Sequence, residues 1–323
     1  MQNRRHFLKT GISITAAVLA AGAAAAQQVE TVEVASLTLT NEQFLAGDSK
    51  GGVPVTLSGR LRLPGDDVRY PAVVLLHGSD GPTSGSVRRW ERTLQGVGVA
   101  TFSLDSFTGR GIIEVESDQR KFGSFNQIYD AYRAIDVLAA HPRIDSKHIA
   151  LMGFSRGGTA ALYAAMSRFQ RSFGPKNMDI SAYLPFYPAC NFELVGELEV
   201  ADAPIREFHG AADNWTLAGP CQSYMNRLAA AGHDPIMTEY SGVGHAFDGA
   251  GSAFVIKSAV TSRNCYRVEV NGTLVNRDTG KPFTWDDACV ERGVSGGFNA
   301  DATARAEETV KELLTGLFSL TRR

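Results

Sequence analysis

His148-Ile149-Ala150-Leu151-Met152-Gly153-Phe154-Ser155-Arg156-Gly157-Gly158-Thr159-Ala160-Ala161-Leu162 is the stretch on which the reading of this chain turns. The short apolar run through Met152 has the length of a strand buried on both faces. From Thr159 to Arg168 the chain is rich in alanine and reads as a helix. Between them lies the pattern G-x-S-x-G, which works chemically only when a strand ends in a sharp turn. The serine then sits at the strained apex, and a helix N-terminus points at the reacting oxygen. The pattern recurs around Ser49 and Ser295. Ser49 follows no strand, and Ser295 follows the polar stretch 286–292, so both read as loop serines. Ser155 is the predicted nucleophile.

Working outward, residues 55–63 alternate apolar and polar side chains and end at Pro64-Gly65, as a half-exposed strand leaving through a turn does. Runs at 72–76, 97–104, 149–152, 182–186 and 205–208, four to eight residues each and bounded by Gly or Pro, read as strands buried on both faces. Segments 127–140, 159–168, 221–231 and 302–317 carry helical patterns between and after them. This alternation predicts a three-layer α/β domain with a mostly parallel central sheet and helices on both faces. Residues 251–299 break the rhythm. They are rich in Gly, Asn, Asp and Thr, with a hairpin over 267–275 around Asn271-Gly272, and read as an insertion that is either a lid or an ornament.

A serine hydroxyl needs a base, and the base needs an orienting acid. His245 lies in Gly242-Val243-Gly244-His245-Ala246-Phe247, on a turn just past the final candidate strand. Asp213 follows the strand that ends at Gly210. His77 and His209 end strands directly before glycines, where a histidine can brace a loop. The predicted catalytic residues are therefore Ser155, Asp213 and His245, in that chain order. The backbone N–H groups of Ser79, in the turn Leu75-Leu76-His77-Gly78-Ser79-Asp80-Gly81, and of Arg156 are the expected oxyanion donors. Phe107, Trp215 and Phe247 follow separate strand ends and are candidate pocket residues, with plain core packing as the other reading. Arg110 and Arg156 are candidates to attract a substrate carboxylate, with surface ion pairing as the other reading. The glycine-rich turn at 78–81 lacks the Gly-Lys-Ser/Thr ending of a phosphate cradle.

The chain has 323 residues, 44% of them hydrophobic, with 32 Lys+Arg against 34 Asp+Glu. A formal net charge of -2 supplies no field toward nucleic acid or an anionic bilayer, so neither is an expected partner. Residues 1–26 read as an export signal. Arg4-Arg5 followed by Phe7, Leu8 and Lys9 resembles a twin-arginine leader, Ala24-x-Ala26 offers a cleavage site, and a general secretory leader or an uncleaved anchor are the alternatives. Removing that leader deletes three basic residues and no acid, and the mature protein is expected to be periplasmic or secreted, with the export machinery as a partner and no membrane span. In an oxidising compartment four cysteines imply two disulfides. Strand placement favours Cys190 with Cys221, and proximity favours Cys265 with Cys289. There is no C-x-x-C and no H-E-x-x-H, so no metal is expected.

With Ser155, Asp213, His245 and the His77-Gly78 turn in place, and Leu104-Asp105-Ser106-Phe107-Thr108-Gly109-Arg110 after a strand, the sequence resembles the dienelactone hydrolase-like branch of the α/β-hydrolase superfamily. The resemblance spans about residues 57–317. It implies an α/β-hydrolase domain over 27–323 that cleaves small-molecule esters or lactones through an acyl-enzyme, without a cofactor. Two departures matter: Ser155 stands where dienelactone hydrolases carry cysteine, and Gly78 stands where they carry glutamate. A general carboxylic-ester hydrolase is accordingly the expected function. A non-catalytic carrier of small molecules on the same fold, and an acyltransferase or peptidase using the same triad, are the alternatives.

Overall fold

A computed structural model describes residues 28–65, 68–176 and 178–320. The expected leader, residues 1–26, lies outside the described residues. In chain order the elements are β1 (Gln28–Thr38), α1 (Asn41–Leu45), β2 (Val53–Leu63), β3 (Tyr70–Leu76), α2 (Gly85–Gln95), β4 (Ala100–Asp105), α3 (Asn126–Ala139), β5 (Ile144–Phe154), α4 (Arg156–Tyr163), α5 (Ser167–Phe173) and β6 (Tyr183–Phe186). There follow β7 (Phe192–Glu193), β8 (Ile205–Gly210), α6 (Ala218–Ala230), β9 (Pro235–Tyr240), β10 (Phe254–Thr261), β11 (Arg267–Val270), β12 (Thr273–Asn276), β13 (Glu291–Gly296) and α7 (Ala300–Leu317).

Eight strands form the central sheet in the order β1-β2-β4-β3-β5-β6-β8-β9. The first two pairings are antiparallel and the other five parallel. The apolar runs exist because the parallel strands are covered twice. In β3, Ala72, Val74 and Leu76 face one apolar cluster, shared with α3, α4, α5 and α6, while Val73 and Leu75 face a second, shared with α2 and α7. The period-2 side-chain alternation thus divides a uniformly hydrophobic strand between two cores. This is the three-layer α/β-hydrolase architecture.

Three differences from the sequence reading bear on the main layers. Residues 28–38 form a full-length strand, paired with β2 from Gln28 opposite Leu63 to Thr38 opposite Val53. It lies at the sheet edge, where exposed polar positions blur the apolar signal. The Ala-rich helix stops at Tyr163. Met166 then bridges Val200, and α5 starts anew at Ser167. Helix α2, charged along Arg88-Arg89-Trp90-Glu91-Arg92, carried no recognised signal, yet it buries Val87, Trp90 and Leu94. Its Glu91 is buried as well, and is paired with Arg62 at 3.1 Å.

Residues 251–299 lie outside the central sheet. Strands β10 and β13 pair antiparallel, and β11–β12 form a hairpin through Asn271 and Gly272, both at positive φ as a tight two-residue turn requires. The disulfides join Cys190 to Cys221 and Cys265 to Cys289. Two such bonds point to an oxidising, extracytoplasmic environment. No helix among the described residues is long and apolar enough to cross a membrane.

Candidate active site

The site begins where β5 ends. Ser155 has φ 53° and ψ -114°, a conformation forbidden to most non-glycine residues, and is held there by its N–H on the Phe186 carbonyl and its own carbonyl on Thr159 N–H. The turn is so tight that a Cβ on Gly153 would lie 2.0 Å from the Gly157 carbonyl oxygen, and one on Gly157 2.2 Å from that of Leu76. Backbone stands in both places, so neither clash is relieved by a rotamer change. Gly153→Ala is expected to lower folding stability by about 3 kcal/mol or more, read as a fall in the urea midpoint. An unchanged midpoint would show that the turn is looser than described.

Two loops complete the constellation. Asp213 follows β8, and His245 follows β9 in a loop bent by Ala246 at φ 54°. Ser155 Oγ stands 2.9 Å from His245 Nε2, and His245 Nδ1 stands 2.6 Å from Asp213 Oδ2. Asp213 Oδ1 accepts from the N–H groups of Trp215 and Thr216, and the Thr216 hydroxyl donates to Oδ2. Burial alone would raise the Asp213 pKa, but His245 first, with His209, holds that carboxyl well below its usual range. The carboxylate therefore accepts the Nδ1 proton of His245, which leaves Nε2 free to accept from the serine. The imidazole is fixed from its sides by Tyr187 at 4.7 Å and Trp215 at 4.9 Å between ring centres.

The backbone N–H groups of Ser79 and Arg156 have no protein acceptor among the described residues. The Ser79 turn is braced as a strand-end histidine can brace it. His77 Nδ1 meets the Gly78 carbonyl at 2.8 Å, its Nε2 accepts from Ser106 N–H, and burial holds its pKa down at about 4, so the ring stays neutral.

Two clefts open from Ser155. Trp215 lines both. Phe107 and Phe247, the other two pocket candidates, do not. Phe107 is fully buried against Val115 and Phe122 and edge-on to His77, and Phe247 is core under Tyr187 and Tyr240. An aromatic residue just past a strand end packs inward whenever the loop folds back, and here both loops do. Arg110 is likewise unavailable to a ligand, because it is locked two-pronged on buried Asp130 at 2.8 and 2.9 Å.

The second cleft has apolar walls in Phe154, Tyr187, Phe254, Ile256 and Phe298. The first has a cationic wall, Arg156, Arg263 and Arg267, together with Trp285. Of these, only Arg156 was singled out from the sequence. Arg263 and Arg267 lie in the 251–299 segment, where charged residues look like ordinary loop polarity. The one available signal was the β11 pattern Arg267-Val268-Glu269-Val270, whose charged members alternate as inward-facing residues do and are in fact buried.

That same segment clasps both loops of the site. Ser295 and Asn214 exchange two hydrogen bonds, Arg263 donates to the Asn214 carbonyl, Thr261 donates to that of Trp215, and Gly297 N–H donates to that of His245.

A model of the dienelactone hydrolase family matches residues 57–269, well over half of the chain. The chain belongs to the dienelactone hydrolase family. As a dienelactone hydrolase family member it is a hydrolase, and solved structures agree on the fold. One is a dienelactone hydrolase-like promiscuous phosphotriesterase from metagenomic libraries, 16% identical, with a TM-score of 0.55 over 90% of this chain and 98% of that one. Another is a thermophilic esterase of Thermogutta terrifontis with propionate bound, 16% identical, with a TM-score of 0.53 over 83% and 92%. No curated protein matches the sequence.

Proposed function

We propose that this family member is a serine hydrolase that opens carboxylic esters or lactones through an acyl-enzyme. The observation that carries the reading is the row Ser155–His245–Asp213, at 2.9 and 2.6 Å, beside two unengaged backbone N–H groups. Ser155 Oγ attacks the carbonyl carbon as His245 Nε2 takes its proton. The oxyanion is received by the N–H groups of Ser79 and Arg156, and the proton passes to the leaving alkoxide. Water repeats the sequence and frees the acid. Labelling by a fluorophosphonate, followed by a panel of nitrophenyl esters and lactones, tests this. An inert protein would favour the carrier alternative.

The cationic cleft supports an acidic substrate. Arg156 donates to the carbonyls of Phe122 and Gly123 and to the Gln119 amide, and Arg267 donates to Asn191 Oδ1 with its guanidinium 3.7 Å from the Phe192 ring centre. Neither meets a carboxylate among the described residues, whereas Arg263 is paired with Glu291. Burial lowers Arg267 to about 9 and Arg156 to about 10, so both stay cationic at neutral pH. A buried cation without a counter-ion is costly, and an anionic group on the substrate offsets that cost. Arg267→Met is expected to lower the kcat/KM ratio of a hemisuccinate ester over a neutral ester of equal length by about ten- to a hundredfold. An unchanged ratio would remove the acidic-substrate reading.

Passage to an extracytoplasmic compartment through a twin-arginine leader at residues 1–26 fits the two disulfides. Substitution of Arg4-Arg5 by Lys-Lys, followed by cell fractionation, tests that route.

A further inference from the structure

Strand β8 is an interior strand of the sheet, paired on both sides, and yet Glu207 and His209 on it are fully buried. Being two residues apart they share one face. His209 Nδ1 lies 2.8 Å from Glu207 Oε1. Its Nε2 lies 2.8 Å from the Thr216 carbonyl oxygen and 3.5 Å from Asp213 Oδ2. Every atom facing the two ring nitrogens is therefore an oxygen that accepts: a carboxylate on one side, a carbonyl and a second carboxylate on the other. With Glu207 ionised, a neutral imidazole, with its one N–H, satisfies only one side.

We propose that the reactive row extends beyond Asp213: His209 is a doubly protonated positioning residue, held by Glu207, that steadies the Asp213 carboxylate through the oxygen also bound by His245. The five groups run Ser155, His245, Asp213, His209, Glu207, and none of the last four is open to bulk solvent. Without a cation at 209, Asp213 and an ionised Glu207 would be two buried negative charges, the first met by neutral donors only and the second by no donor but the ring, since Glu207 Oε2 has no partner among the described residues. Burial works against the His209 charge, but the carboxylates of Asp213 and Glu207 outweigh it and raise the ring to about 10. Burial pushes Glu207 up while His209 holds it down, and the Asp213 carboxylate on the far side of the ring favours the shared proton on His209.

The other groups near the pair are few. Glu239 stands opposite His209 in the β8–β9 register and is exposed, His245 lies across Asp213, and the Cys190 and Cys221 sulfurs close to the Glu207 carboxylate are bonded to each other and do not titrate. Because both rings reach Asp213 Oδ2, their facing nitrogens lie within about 6 Å. At that range a charge on one ring is felt at the other through the carboxylate oxygen they share.

This inference rests on the hydrolase reading for its catalytic meaning, and its structural part is read without substrate. In the wild-type mature protein, nitrogen-15 spectra of histidine-labelled samples at pH 8 should show both ring nitrogens of His209 protonated. One unprotonated nitrogen on that ring overturns the proposal. Glu207→Gln, close in shape, removes the charge that holds the proton. The acid limb of kcat/KM should then move to higher pH by about one unit, with kcat at the plateau falling about tenfold or less. A purely structural Glu207 would lower activity without moving the limb, and that result also overturns the proposal. If Glu207→Gln does not fold, the wild-type spectrum still decides. Failure of the wild type to hydrolyse any ester would instead count against the hydrolase reading and leave the ring protonation standing.

Discussion

Alanine at position 155 should leave a folded protein whose turnover of an activated ester has dropped by about 10^4 to 10^6-fold. The fold should tolerate the change because the Ser155 side chain has a single partner, His245, while the strained backbone is held by the Phe186 carbonyl and by Thr159. Alanine can occupy that backbone as serine does. What disappears is the atom that forms the acyl bond. The clefts and the two N–H groups remain, so weak hydrolysis by bound water and ordinary substrate affinity should persist. The check is kcat on a nitrophenyl ester together with a urea midpoint and the loss of fluorophosphonate labelling. Retention of wild-type turnover in the folded variant would mean that another residue is the nucleophile.

Asp213→Asn should cost about 10^4 in kcat, although it removes no heavy atom. Asp213 Oδ1 accepts from two backbone N–H groups, those of Trp215 and Thr216. An asparagine must keep its carbonyl oxygen there, so its NH2 takes the place of Oδ2, facing His245 Nδ1. A donor then meets a donor unless the imidazole shifts its proton to Nε2. In that tautomer the nitrogen 2.9 Å from Ser155 Oγ can no longer accept. The NH2 also faces His209 across the gap now spanned at 3.5 Å. A loss of less than tenfold, measured on the same ester, would show that the acid does not set the tautomer.

How much of this was legible depended on how local each signal was. The elbow at Ser155 could be read because strand, turn and helix are contiguous, and because Gly153 and Gly157 mark backbone contacts that nothing larger survives. The expected nucleophile, acid and base meet because each directly follows a sheet strand, and in a parallel sheet those ends lie along one edge. Residues whose role depends on what folds over them were not legible. Phe107, Trp215 and Phe247 look alike in sequence, and only the course of the later chain makes one of them a cleft wall and the others core. Arg267 looked like hairpin decoration until Phe192 and Asn191 from another part of the chain were brought beneath it. Glu207 is harder still, since nothing in Ile205-Arg206-Glu207-Phe208-His209 marks which polar residues turn inward onto one another.

The clasp of residues 251–299 around the loops of Asp213 and His245 bears on how this enzyme can be re-engineered. The segment that supplies Arg263 and Arg267 to one cleft, and Phe254, Ile256 and Phe298 to the other, also ties down the loops of Asp213 and His245 through Ser295, Arg263, Thr261 and Gly297. A chimera that grafts a foreign loop between β9 and α7 exchanges substrate preference and catalytic alignment at once. Selectivity is therefore more safely altered by point changes within the native segment that spare its four anchors.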